Sequence, residues 1–124
     1  MLFRSHLHRY DRDTFQIDLA SCEGVITSGG FGLSSETIQY GKKLLMKPVK
    51  GQMEQLSNAV AAEQIGLADV MHHFDHSLLQ QWLNNPNPQP RNYPCVARAI
   101  VEWIKNGMVE QDQQLAERLW REAI

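Results

Sequence analysis

The stretch from Gly24 to Asn58, GVITSGGFGLSSETIQYGKKLLMKPVKGQMEQLSN, limits what this chain can fold into more than any other. Val25 and Ile26 run straight into the turn Ser28-Gly29-Gly30-Phe31-Gly32. A polar segment with Glu36 follows, then Gly41, then a second apolar run, Leu44-Leu45-Met46. Beyond Pro48 and Gly51 a helical pattern begins that carries Glu54 and Gln55. The order is strand, glycine turn, helix, strand, loop, helix. Such a turn aims backbone N–H groups and a helix N-terminus at one point, an arrangement suited to a phosphate.

Strands that alternate with helices predict a parallel sheet, which needs helices on both faces. The expected fold is therefore α/β, a small three-layer Rossmann-like sheet of three or four strands with a helical C-terminal extension. The 124 residues suit one domain over 1–124. A hydrophobic fraction of 43% and a charged fraction of 21% are those of an ordinary globular protein. The net charge of -2 leaves no electrostatic footprint for nucleic acid. No apolar run approaches the roughly 18 residues that span a bilayer. Arg4, His6, His8 and Arg9 stand where a signal peptide would be apolar. Cys22 and Cys95, far apart and without a second pair, read as reduced thiols of a cytoplasmic protein.

Met1 to Arg9 alternates apolar and polar residues as a strand does. Asp13 or Thr14 is expected to cap a helix to Cys22, with Phe15, Ile17, Leu19 and Ala20 as its apolar surface. Val25 to Thr27 is expected to be a short buried strand. Ser34 or Ser35 would start the next helix and Gly41 would end it. Lys43 to Lys47 is the second strand. Met53, Leu56, Ala59 and Val60 form one helical stripe that continues to Ile65, with Glu54 and Asn58 opposite and Gln55 at its margin. Leu67 to Met71 is a third strand, and Ser77 to Leu83 a short helix. The loop 84–94, NNPNPQPRNYP, precedes two amphipathic helices within 95–124, Val96 to Lys105 and Gln111 to Ile124.

Each candidate residue has a structural reading beside the chemical one. The Gly29-Gly30-x-Gly32 turn is neither a Walker loop nor a GxGxxG fingerprint, and a tight strand-to-helix connection would use the same glycines. Glu36 can accept two hydrogen bonds from a ribose diol, or it can serve the helix dipole. Glu54 and Gln55 open a helix at the same edge of the sheet, where α/β proteins bind ligands. They can meet sugar hydroxyls there or simply enrich a helix N-terminus. His72 and His76, with His73 and Asp75, lack a convincing third metal ligand and read as a polar turn. No metal site is expected, and no Ser-His-Asp or Cys-His arrangement can be argued. Trp82, Trp103 and Trp120 lie in apolar helical patterns, as core or docking surface.

Taken together, these residues resemble a known family. The glycine turn, Glu36 at its offset, the strand GKKLLMKP from Gly41 and the helix GQMEQLSNA from Gly51 occur in order over about residues 13–66. This resembles the donor-binding, C-terminal half of GT-B glycosyltransferases. The nearest types are bacterial enzymes related to the peptidoglycan N-acetylglucosaminyltransferase and to the UDP-glycosyltransferases. The resemblance implies that residues 13–66 are a nucleotide-sugar-binding core. It implies that Ser28, Gly29, Gly30, Phe31 and Ser34 hold the donor diphosphate, that Glu36 holds the ribose, and that Glu54 and Gln55 contact the donor sugar. Two departures stand out. Ser28 occupies the place of a histidine in plant-type members, and Leu33 that of a Ser or Thr in many others.

The implied activity is transfer of a hexosyl group from an NDP-sugar, a UDP-sugar in the nearest types, to an acceptor hydroxyl. The nucleotide sugar is a substrate, and no cofactor is expected. The family's N-terminal half, which supplies the acceptor site and usually the base, has no counterpart in these residues. The chain thus resembles a truncated form that needs a separate N-terminal half, and no catalytic residue is named. The other reading is a non-catalytic interaction module that forms a homodimer through its exposed sheet edge and C-terminal helices. Trp103, Ile104, Leu119 and Trp120 are candidates for that contact.

Overall fold

The structure is a computed structural model, and it describes residues 5–122. Its elements run α1 (Arg12–Ser21), β1 (Gly24–Thr27), α2 (Phe31–Gln39), β2 (Lys43–Met46), α3 (Met53–Gln64), β3 (Asp69–Val70), α4 (His76–Asn84), α5 (Val96–Lys105) and α6 (Asp112–Glu122). The sheet is parallel throughout and ordered β1-β2-β3. Val25 pairs with Leu44 and Ile26 with Leu45, and Met46 pairs with Val70. Parallel neighbours need crossover connections, which α2 and α3 supply.

The central strand β2 is buried at all four residues, as its unbroken apolar run requires. Successive side chains point to opposite faces. Leu44 and Met46 therefore meet Ala59, Ala62 and Val70, with Ile38 of α2 packed alongside. Leu45 points the other way, against Met71, Trp82, Leu78 and Leu79 on the α4 side. Two helices, the sheet and α4 form three layers. Lys43 belongs to the α4 face and is only 8% exposed. Its Nζ donates to the Leu83 carbonyl at 2.7 Å and stands 5.4 Å over the Trp82 ring. A cation there offsets the negative end of the α4 dipole.

Several local expectations need correction. Residues 5–10 are irregular rather than a strand, and Leu7 is fully exposed. Leu2 and Phe3 lie outside the described residues. The cap of α1 is Asp11, whose carboxylate accepts the Asp13 N–H at 3.2 Å, two or three positions ahead of the expected Asp13 or Thr14. Of its expected apolar surface only Leu19 is buried, while Phe15, Ile17 and Ala20 face out. The strand β1 is an edge, not a buried strand, and Ile26 is 52% exposed. The register puts Ile26 on the face of Leu45, beyond the cover that Leu45 receives.

Helix α2 starts at Phe31, three residues before the expected serine cap. The serines turn back onto the helix instead. Ser34 Oγ donates to the Gly30 carbonyl at 2.7 Å and Ser35 Oγ to that of Gly32 at 2.9 Å, an interior use of serine. Gly41 ends α2 at φ +66°, as a left-handed C-cap demands. The 85–95 segment lies directly against it, so that a Cβ on Gly41 would fall 2.6 Å from Pro90 N. Helix α3 buries Ala59 and Ala62 with Leu56 partly covered, whereas Met53 and Ile65 are exposed. Asn58 is on the inner side of α3, not the outer side expected of it.

The last two helices are tied by side chains. Trp103 Nε1 donates to the Glu110 carbonyl at 2.6 Å, and the Glu110 carboxylate accepts from Arg118 Nε at 3.3 Å and Nη2 at 3.1 Å. Leu119 is buried and Trp103 partly so, while Ile104 and Trp120 are exposed. No helix among the described residues is long and apolar enough to cross a membrane. Cys22 and Cys95 are free thiols.

Candidate functional site

The β1–α2 turn leaves the carboxyl end of β1, and Lys47 N–H donates to the Thr27 carbonyl at 2.8 Å beside it. The first intrahelical bond of α2 runs from Ser34 N–H to the Gly30 carbonyl. The N–H groups of Gly30, Phe31, Gly32 and Leu33 are thus the four that an α-helix cannot satisfy internally. No side chain among the described residues caps them. They carry the positive end of the helix dipole at the surface, since Phe31 and Gly32 are exposed. Because the helix begins within the glycine turn, these donors converge where the chain has least bulk.

Gly29 holds φ +95°, and an added Cβ would stand 3.0 Å from the Gln55 carbonyl oxygen. Asn58 Nδ2 donates to the Gly29 carbonyl at 3.0 Å. These two contacts lock the turn to the first turns of α3, so the N-termini of α2 and α3 open at one edge. Sequence reasoning assigned Asn58 no role. Its signal was the three-residue step from Gln55, which keeps both on one helix face. On α3, the Glu54 carboxylate is exposed and has no partner among the described residues. Gln55 Oε1 accepts the Val49 N–H at 3.0 Å, bracing the β2–α3 loop. Its amide N–H donors are without a partner among the described residues.

Glu36 lies five residues into α2, about 7.5 Å along the axis from Phe31. That is the scale separating a diphosphate from the diol of its own ribose. Gly32 is four residues before Glu36 and so shares its face. A Cβ on Gly32 would meet nothing within 4 Å, which leaves an open shelf between the helix start and the carboxylate. Glu36 Oε2 accepts a hydrogen bond from Gln16 Nε2 of α1 at 3.0 Å, a partner not anticipated from the sequence. Ser28 is half-buried with no side-chain partner among the described residues. Ser34 is 4% exposed and its proton is committed to Gly30.

The histidines do not gather. Asp75 caps α4, accepting from the N–H groups of Ser77 at 2.8 Å and Leu78 at 3.1 Å. Among the described residues no group of three or more His, Cys, Asp and Glu could hold a metal ion. His8 stands 3.7 Å from Asp18 at the surface. A hollow of about 820 Å³ lies elsewhere, at the amino ends of β2 and β3, between Lys42, Lys43, Asp69 and the 85–92 segment. In a parallel sheet that is the end opposite the glycine turn. Its walls mix Lys42, Lys43 and Arg91 with Glu63 and Asp69, and no helix start opens into it.

The sequence model of the family described as glycosyl transferase family 1 matches residues 6–86, well over half of the chain. No curated protein and no solved structure matches it.

Proposed function

The chain belongs to glycosyl transferase family 1, and from that premise we propose that residues 13–66 bind the nucleotide-sugar donor, a UDP-sugar, for hexosyl transfer. One observation carries the reading: four N–H groups without a partner among the described residues open α2, and a carboxylate follows about one and a half turns later across the bare face of Gly32. The backbone N–H groups of Gly30 and Phe31 take the diphosphate, with Gly29 shaping the turn. Ser28 adds a hydroxyl beside them. Ser34 contributes through the carbonyl it ties down rather than through a free proton. Glu36 accepts the ribose hydroxyls, and Glu54 with the Gln55 amide contacts the sugar.

The chemistry follows from that placement. An acceptor hydroxyl oxygen attacks the anomeric carbon, and the bond from that carbon to the phosphate oxygen breaks. The electron pair leaves with the nucleoside diphosphate, whose growing negative charge faces the α2 N-terminus. The described residues hold a single three-stranded sheet. We therefore assign the acceptor site and the base that takes the hydroxyl proton to a second body, either a separate subunit or another segment of a longer chain. Positioning two substrates is a large share of catalysis, so the donor core alone is expected to bind without turnover. The free thiols Cys22 and Cys95 suit a reducing, cytoplasmic setting.

Isothermal titration with UDP, UDP-glucose, UDP-N-acetylglucosamine and GDP tests this reading. Saturable binding is expected for the uridine ligands. Glu36→Ala is expected to weaken it by at least about 10-fold, the weight of hydrogen bonds to a charged acceptor. The half-exposed position of Glu36 should leave the fold intact. Unchanged affinity in the variant would remove the donor-site assignment.

A second reading is a non-catalytic module that self-associates. Ile26, Ile104 and Trp120 favour it, because each is more than half exposed. A strictly monomeric sedimentation profile would count against it.

A further inference from the structure

Gln16 is the one side chain among the described residues that hydrogen-bonds Glu36, from the neighbouring helix α1 at 3.0 Å. Both residues are half-buried. A glutamate on a helix face samples several rotamers, and fixing one has an entropic cost. A bond to a second helix meets that cost before any ligand arrives, which is preorganisation. The chemistry of the partner is also specific. The amide donates one hydrogen bond to Oε2 and brings no charge. Glu36 keeps its negative charge, all of Oε1 and one lone pair on Oε2. An arginine or lysine at position 16 would instead neutralise the carboxylate and compete for both oxygens.

We infer that Gln16 is a positioning residue for the Glu36 carboxylate and so sets the preference of this site for a ribose over a 2′-deoxyribose nucleotide. The inference rests on the donor-site reading above. The ribose diol presents two hydroxyl donors, and two acceptor positions in a fixed plane recognise both. A carboxylate free to rotate meets one at a time. Gln16 touches no ligand in this account. Its effect appears only where the ligand reaches Glu36, which separates it from a residue that merely supports α1.

The test is titration of the whole chain and of Gln16→Ala and Gln16→Glu with UDP, GDP and their 2′-deoxy counterparts, with thermal unfolding of each variant recorded. Wild type is expected to prefer the ribonucleotide. Gln16→Ala should lose about 5- to 10-fold in ribonucleotide affinity, the cost of ordering one side chain on binding, while the deoxy ligand, which offers Glu36 a single hydroxyl, loses less. The ribose preference collapses accordingly. Gln16→Glu sets two carboxylates face to face and should lose more than Gln16→Ala. Equal losses for both sugars, or an undiminished preference, would overturn the positioning role while the donor site stands. A wild-type chain that binds none of the four would overturn the donor site itself, and this inference with it.

Discussion

Replacing Gly29 with alanine tests whether the glycine turn is held against α3. Two costs add at this position. The backbone at φ +95° is one that an L side chain rarely adopts, and left-handed geometry costs about 1–2 kcal/mol for a residue with a Cβ. The new methyl also falls 3.0 Å from the Gln55 carbonyl oxygen, with the Gln55 carbonyl carbon and Cα at 3.7 Å. These are backbone atoms near the start of a helix, and they cannot rotate away. Overpacking of this kind costs about 1–3 kcal/mol. Gly51 separates the two terms: it has φ +87°, yet nothing lies within 4 Å of its Cβ position. Gly51→Ala should therefore lose only the conformational term. Urea denaturation of the two variants beside wild type reads the difference, with the slope unchanged if both unfold in two states. Gly29→Ala is expected to cost about 2–5 kcal/mol in total, the larger loss of the two. Equal losses in the two variants would refute the close approach of turn and helix on which the site geometry depends.

Asn58→Ala removes the bond to the Gly29 carbonyl and is expected to cost about 0.5–1.5 kcal/mol in the same assay, with a parallel fall in UDP affinity. A stability loss without any effect on binding would mean that the turn keeps its shape unaided. Leu45→Ala, in the middle of β2 at 0% exposure, should destabilise by about 2–5 kcal/mol, as a methyl-lined cavity in a close-packed core does. A loss below about 1 kcal/mol would indicate that α4 does not cover that face of the sheet.

The order of elements was legible because period and punctuation agreed. The run Leu44-Leu45-Met46 between Gly41 and Pro48 leaves few readings other than a buried parallel strand, and β2 is that strand. Gly41 marked a helix end for the same reason it occupies φ +66°. What could not be read was which polar side chains turn inward. Ser34 and Ser35 carry the composition of a cap, but the tight turn at Gly30 starts the helix first, and their hydroxyls bond backward. Ile26 has a core composition yet sits on an edge strand, a fact of sheet order rather than of local pattern. Within the site, Glu36, Glu54 and Gln55 stood out as residue types. The contacts from Gln16 and Asn58 did not, because they depend on how α1 and α3 pack against α2 and its turn.

The most direct test of the donor-site account is amide chemical-shift mapping of the isotope-labelled chain during titration with UDP. The account predicts the largest shifts at Gly29 to Leu33, with Glu36, Gln16 and the N–H groups of Glu54 and Gln55 following at the same edge. Shifts confined to Lys42, Lys43, Asp69 and the 85–92 segment would place the nucleotide in the groove at the opposite end of the sheet and contradict it.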